Sequence, residues 1–286
     1  MISEIYDFVA TDTPVLVIDK EKDDLEYRSL RKSRFPEISA QSYLVADLGS
    51  GFVFAKKYEE EQLPIGSLAK LMLAVVLSEN TDLESSILVR PRMIVENDSA
   101  AQLEARKRFS LVSLLYPLLV ESSDDAAEIL ASYLDKKNSV ALMNEKTKII
   151  MMEKTDFVDV KNSELKNVSS AKDLFYLSRY ILINQPLIFN ISRGQAAVPF
   201  QTAPFSGLKN KNLFFADSNF IGGQASNVLA SGSSGIFVFK FSLADGSRRN
   251  VVIILLGENN FEEGEGNLKE QVLKIINWLK ENYYNQ

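Results

Sequence analysis

Ser67 and Lys70 stand three residues apart in Pro64-Ile65-Gly66-Ser67-Leu68-Ala69-Lys70, where the hydrophobic period turns helical. Three residues is nearly one helical turn, so the hydroxyl and the amine share a face and can meet. A lysine desolvated beneath such a helix can lose its proton near neutral pH and act as base toward the hydroxyl. The helix N-terminus adds backbone N–H groups that point at developing negative charge. The chemistry on offer is nucleophilic attack by a serine activated by an amine. The same S-x-x-K spacing also suits an N-cap serine followed by a solvated lysine, so the pattern needs company.

A second polar cluster, Glu121-Ser122-Ser123-Asp124-Asp125, interrupts two apolar helical stretches, where a helix end and a new helix start would put side chains into a cleft. Locally it also reads as a plain cap, with Ser122 or Ser123 opening the helix and the aspartates on its dipole.

Composition says what else is possible. The 286 residues include no histidine and no cysteine. A Ser-His-Asp triad therefore cannot be built. Thiol nucleophiles, Cys-x-x-Cys redox pairs, zinc fingers and His-based zinc sites go with it, and neither a metal nor a cofactor is expected. Carboxylates, lysines, hydroxyls and backbone dipoles are what remains. Lys plus Arg number 32 against 38 Asp plus Glu, a net charge of -6, and the basic residues are scattered. That is not the footprint of a nucleic-acid-binding protein.

The longest apolar stretch, Phe109 to Val120, is broken by Ser110, Ser113 and Pro117. It falls short of the roughly 20 residues a membrane span needs. Met1 to Pro14 lacks a basic start followed by an apolar run, so no signal peptide is expected there. Two cases follow: a cytoplasmic protein, or an exported one whose leader or anchor is missing from this chain.

The elements that must position these side chains follow from periodicity. Residues 1–38 are charge-dense and read as an extension or linker closed by Pro36, with a single domain over 39–286. Ser42–Asp47 and Gly51–Lys56 read as a hairpin. Leu68, Leu71, Met72, Val75 and Val76 recur at helical spacing, as do Leu111 to Leu119 and Ala126 to Tyr133. Leu142 to Met152 and Ser170 to Ile183 also read as helices. Strands return at Asn219 to Ala230, Ile236 to Leu243 and Asn250 to Leu256, with Ala244-Asp245-Gly246-Ser247 as a hairpin turn. An amphipathic helix, Leu268 to Tyr283, closes the chain. The fold expected is α/β of the α+β type. One antiparallel sheet forms from both chain ends (about 39–66 and 210–286), flanked by helices, and an all-helical lobe (about 80–190) is inserted between them.

With these residues in order, the chain from about 39 to 282 resembles the serine D-alanyl-D-alanine carboxypeptidases. These are the low-molecular-weight penicillin-binding proteins, peptidase S11-like, related in fold to class A beta-lactamases and transpeptidases. The resemblance rests on Ser42 to Asp47, Pro64 to Met72 and Ser122 to Ala127. It extends to Asp156-Phe157-Val158-Asp159, Asn167 to Leu174 and Phe220-Ile221-Gly222-Gly223. It implies an acyl-enzyme cycle on a peptidoglycan stem peptide ending in D-Ala-D-Ala, with beta-lactams as the alternative ligand. Ser67 would attack the penultimate carbonyl, Lys70 would take its proton, and Ser122 would relay a proton to the leaving D-alanine. The oxyanion hole would use the backbone N–H groups of Ser67 and Asn227. An extracytoplasmic location would follow, with a membrane reached only through an anchor outside this chain.

The chain departs from the family pattern at two motifs. The second motif, Ser-x-Asn, has Asp124 at its third position, which keeps an acceptor but loses an amide donor. The third, Lys-Thr-Gly after Gly-Gly, is replaced by Gln224-Ala225-Ser226 at the expected substrate-binding positions. A lost charge-assisted hydrogen bond of this kind is worth roughly 1.5 to 3 kcal/mol, or about tenfold to a hundredfold in specificity. The cleft also becomes more negative, which disfavours an anionic C-terminus unless another cation such as Lys240 or Arg248 moves in. The opposing expectation is a catalytically silent member that uses the cleft or the extension to bind cell-wall peptide or a protein partner. Asp159 and Glu164 lie in the loop that carries the deacylating acid in beta-lactamases, but their spacing does not match that signature.

Overall fold

The computed structural model describes residues 33–94, 103–161, 167–197, 200, 202, 204–228, 232–242, 247–258 and 265–284. Most of the expected N-terminal extension, the turn residues Ala244 to Gly246, and Glu164 lie outside these.

The strands are β1 (Ser42–Asp47), β2 (Val53–Lys57), β3 (Leu63–Pro64), β4 (Ser86–Leu88), β5 (Arg108–Ser110), β6 (Val168–Ser169), β7 (Phe220–Val228), β8 (Gly232–Ser242) and β9 (Arg248–Glu258). The helices are α1 (Ala69–Asn80), α2 (Leu111–Val120), α3 (Asp124–Tyr133), α4 (Lys136–Ile149), α5 (Ala171–Asn184), α6 (Pro186–Ser192) and α7 (Glu265–Leu279), the last followed by a wide turn at Lys280–Tyr284.

Five strands form the main antiparallel sheet in the order β2-β1-β9-β8-β7. It is made from both chain ends, as the periodicity predicts. Asp47 tightens its first hairpin, Oδ1 accepting from the N–H groups of Gly49 and Ser50 at 2.7 and 2.8 Å. Both faces are covered. Leu44, Ala46, Ile236, Val238, Val252 and Ile254 belong to one buried cluster with the helical lobe, while Val45, Phe237, Phe239, Val251, Ile253 and Leu255 belong to a second with α7. Side chains alternate across a strand, and here both alternating sets are apolar. That is why β8 and β9 read as nearly unbroken hydrophobic runs.

Residues 33–40 pack over α7. Phe35 meets Trp278 edge-on at 4.9 Å, and the N–H groups of Ser39 and Ala40 donate to Gln271 Oε1. Inside the lobe, α1 is buried from Ala69 through Leu77, so its whole circumference is packed. A helix at the centre of a lobe reads as a nearly continuous apolar run rather than a stripe. Lys70 is the exception within it.

Candidate active site

Ser67 is placed by a 3-10 turn, Gly66–Leu68, that feeds α1. Gly66 holds φ at 49°, the left-handed region that an L side chain adopts only at a cost. The turn is pinned from behind, where the Ile65 N–H donates to the Asn167 carbonyl at 3.0 Å and β3 pairs with β6. Asn167 is itself clamped, its Oδ1 taking the N–H groups of Val158 and Asp159 at 2.9 and 3.1 Å.

Neither modest reading of S-x-x-K survives. Helix α1 is capped at Leu68 with no side-chain bond, so Ser67 is not an N-cap. Lys70 is 1% exposed, so it is not a solvated lysine. Its Nζ is bound to the Ser122 carbonyl, to Ser122 Oγ at 3.2 Å and to Asp124 Oδ1 at 2.7 Å. Asp124 thus forms an ion pair with Lys70 on the side of the second motif.

The two serines of the second motif divide the work. Ser123 is the N-cap of α3, its Oγ accepting from the Ala126 N–H at 3.1 Å. Ser122 is left with no capping duty and sits at φ 58°, a conformation uncommon outside glycine. The turn is closed by the Ser123 N–H reaching back to the Pro117 carbonyl at 3.0 Å. Ser122 Oγ accepts from Lys70 Nζ and from Gln224 Nε2, both at 3.2 Å. A hydroxyl has two acceptor lone pairs and one proton. With both lone pairs engaged, its proton is directed elsewhere.

Strand β7 supplies the facing wall. Gln224 and Ser226 are two apart, hence on one face. Ser226 Oγ accepts the Ser67 backbone N–H at 2.8 Å. Ala225 turns to the other face and packs with the second cluster. The backbone of Asn227 lies next along β7, paired with Ser233. The strand can come this close because of Gly222 and Gly223. A Cβ on Gly222 would lie 2.5 Å from Phe189 Cβ, and one on Gly223 would lie 2.0 Å from the Ile236 carbonyl oxygen.

Sequence reasoning missed Asn212. Its Nδ2 donates to the carbonyls of Leu119 and Ser192 at 3.0 and 2.6 Å, tying the end of α2 to the end of α6 just behind β7. Nothing local marks it, since both partners are distant in sequence. The proposed replacement cations do not reach the site. Gln224 pairs with Ile236, while Lys240 is four residues further along β8 and Arg248 pairs with Ser242. At roughly 3.3 Å per residue they are about 13 and 20 Å away along the strands.

A family model for Peptidase S11, D-alanyl-D-alanine carboxypeptidase, matches residues 30–224. The chain belongs to this family. The match covers the Ser67 turn and the Ser122 cluster and stops at Gln224, where the third motif departs. Among curated relatives, D-alanyl-D-alanine carboxypeptidase DacD of Escherichia coli is 25% identical over 269 residues, 87% of this chain and 65% of that protein. This S11 chain thus spans less than two thirds of that relative's length. The crystal structure of D-alanyl-D-alanine carboxypeptidase from Mycobacterium tuberculosis superposes with a TM-score of 0.73 at 25% identity, covering 86% of this chain and 93% of that one. Penicillin-binding protein D2 of Listeria monocytogenes, solved in an ampicillin-bound form, gives 0.71 at 22% identity, covering 85% and 99%. The α+β fold with its inserted helical lobe is the one these proteins share.

The Ser226 hydroxyl occupies the donor that the resemblance assigns to the oxyanion hole. Ser226→Gly is expected to raise the rate at which penicillin acylates Ser67. A net hydrogen bond of about 0.5–1.5 kcal/mol corresponds to roughly twofold to tenfold. A labelling time course with fluorescent penicillin reads this directly, and an unchanged or slower rate counts against a blocked donor.

Proposed function

We propose that this chain is a serine peptidase acting on peptidoglycan stem peptides that end in D-Ala-D-Ala, with Ser67 as nucleophile and Lys70 as its base. The observation that carries the reading is the buried Lys70 amine, one turn from Ser67 and hydrogen-bonded to Ser122 Oγ. In the reaction, Ser67 Oγ forms an ester with the carbonyl carbon of the penultimate D-alanine. Lys70 accepts the serine proton, and Ser122 passes a proton to the leaving nitrogen as the C–N bond breaks. Water then cleaves the ester and restores the serine. The Ser67 and Asn227 N–H groups would hold the oxyanion once substrate displaces the Ser226 hydroxyl.

Such stem peptides lie outside the cytoplasm, so the reading carries an extracytoplasmic location with it. Among the described residues no helix is long and apolar enough to cross a membrane.

A second reading, a non-catalytic module that binds cell-wall peptide or a protein partner, draws on Asp124 holding Lys70 and on Ser226 covering the Ser67 N–H. One experiment separates the two. Intact-mass spectrometry after prolonged incubation with penicillin at high concentration is expected to show one covalent adduct, mapped to Ser67 and absent from Ser67→Ala. Folded protein that stays unmodified favours the binding module.

A further inference from the structure

One acceptor in the cleft has nothing to accept. Gln224 is 1% exposed, its Nε2 is spent on Ser122 Oγ, and its Oε1 is buried without a hydrogen-bond partner among the described residues. Buried polar atoms in native proteins are almost always paired, and one that is not calls for an explanation such as a ligand that brings the missing donor. The side chain shares a face of β7 with Ser226, whose bond to the Ser67 N–H fixes that face as the one toward the nucleophile. Ser122, the group placed to protonate the leaving nitrogen, touches the same Gln224 amide. On the serine-peptidase reading, Gln224 therefore borders the leaving-group side of the scissile bond. Asp124, part-exposed at the same end, adds a second acceptor and a negative charge.

A free carboxylate has only acceptor oxygens to offer there. It would meet the Gln224 oxygen and the Asp124 carboxylate with like against like, in a place where Lys240 and Arg248 do not reach. Lys209 and Arg193 line a different cavity of about 530 Å³, walled by Tyr116, Val120 and Phe205. A carboxamide differs from a carboxylate in the two respects that count: it has no charge, and it carries N–H donors.

We propose, resting on the serine-peptidase reading above, that the cleft selects stem peptides whose terminal carboxyl is already in amide linkage, with Gln224 as the specificity-determining residue that accepts the amide N–H. The amide is either a terminal carboxamide or the next bond of a chain that continues past the second D-alanine. Attack by Ser67 on the preceding carbonyl then releases D-alaninamide or a D-alanyl peptide as the amine, and water hydrolyses the ester left on the serine.

The test uses three synthetic peptides identical through D-Ala-D-Ala: the free acid, the C-terminal amide, and a form extended by one amidated glycine. Release of the leaving amine, followed by chromatography, is expected to give kcat/KM at least tenfold higher for an amide form than for the acid. The two amide arms tell a terminal carboxamide from a continuing chain. Gln224→Lys is expected to reverse the order in favour of the acid. Affinities of the same peptides for Ser67→Ala carry the comparison without turnover. Tighter binding of an amide form keeps the selectivity even where penicillin leaves Ser67 unmodified and the peptidase reading fails. An acid cleaved or bound as well as both amides, no binding of any peptide, or an order that Gln224→Lys leaves unchanged overturns the proposal.

Discussion

Lys70→Met is expected to lower acylation of Ser67 by about 10²–10⁴-fold, the usual contribution of a positioned base, while the chain still folds. With no histidine anywhere in the sequence, no imidazole can take over the task. The structural effect should be smaller than for a wholly buried pair. Breaking such a pair leaves an uncompensated charge and costs about 3–5 kcal/mol, but the Asp124 side chain keeps 24% of its surface in water. A loss of about 1–3 kcal/mol, the range for an orphaned polar group, is the fitting expectation. Removing both charges in Lys70→Met/Asp124→Leu should recover much of that stability and none of the activity. Penicillin labelling and denaturant melts on the same samples separate the two effects. Labelling of Lys70→Met at an undiminished rate would remove Lys70 from the mechanism. Asp124→Asn should act in the opposite sense, because it removes the carboxylate that engages Lys70 Nζ at 2.7 Å.

The parts of this site legible in the sequence were those whose geometry is local. Ser67 and Lys70 are one turn apart, and the turn at Glu121 to Asp125 is marked by caps and acidic residues that announce a new helix. The sheet was legible too, because strands covered on both faces give long apolar runs. What could not be read arises from contacts between distant residues. Helix α6 has only seven residues opened by Pro186, and its value lies in Phe189 meeting Gly222 across the fold. Helix α4 begins at Lys136, before the hydrophobic period becomes visible, because Asp135 caps it with an Oδ1 that accepts the Lys137 N–H at 3.0 Å.

The second and third motifs show the same division. That Gln224 replaces a cation is plain from the sequence. That it keeps one donor on Ser122 Oγ while burying an unpaired oxygen is a matter of packing. Ser226 lies 159 residues from Ser67, and no local pattern links its hydroxyl to that backbone N–H. Ser122 adopts a left-handed backbone without being glycine, which follows from the closure of the α2–α3 turn rather than from residue preference.

The largest effect on stability is expected at Gly223. Its N–H donates to Ser192 Oγ at 3.0 Å, and an added Cβ would sit 2.0 Å from the Ile236 carbonyl oxygen, a backbone atom of the neighbouring strand. No rotamer change relieves a contact with backbone, so β7 and β8 would have to separate. Gly223→Ala should cost about 3 kcal/mol or more, at or beyond the upper end for overpacked sites. Gly49→Ala is the control, because its Cβ would meet only the Asp47 carboxylate at 3.1 Å, the movable end of a side chain. Its effect should stay within about 1 kcal/mol. The same shift of β7 would carry Gln224 and Ser226 away from Ser122 and Ser67, so the fraction of Gly223→Ala that remains folded should also label slowly with penicillin. A variant that melts with the wild type and labels at its rate would mean that β7 does not approach β8 as closely as this geometry requires. The Gly-Gly pair would then have to be explained by something other than the placement of Gln224 and Ser226 against Ser122 and Ser67.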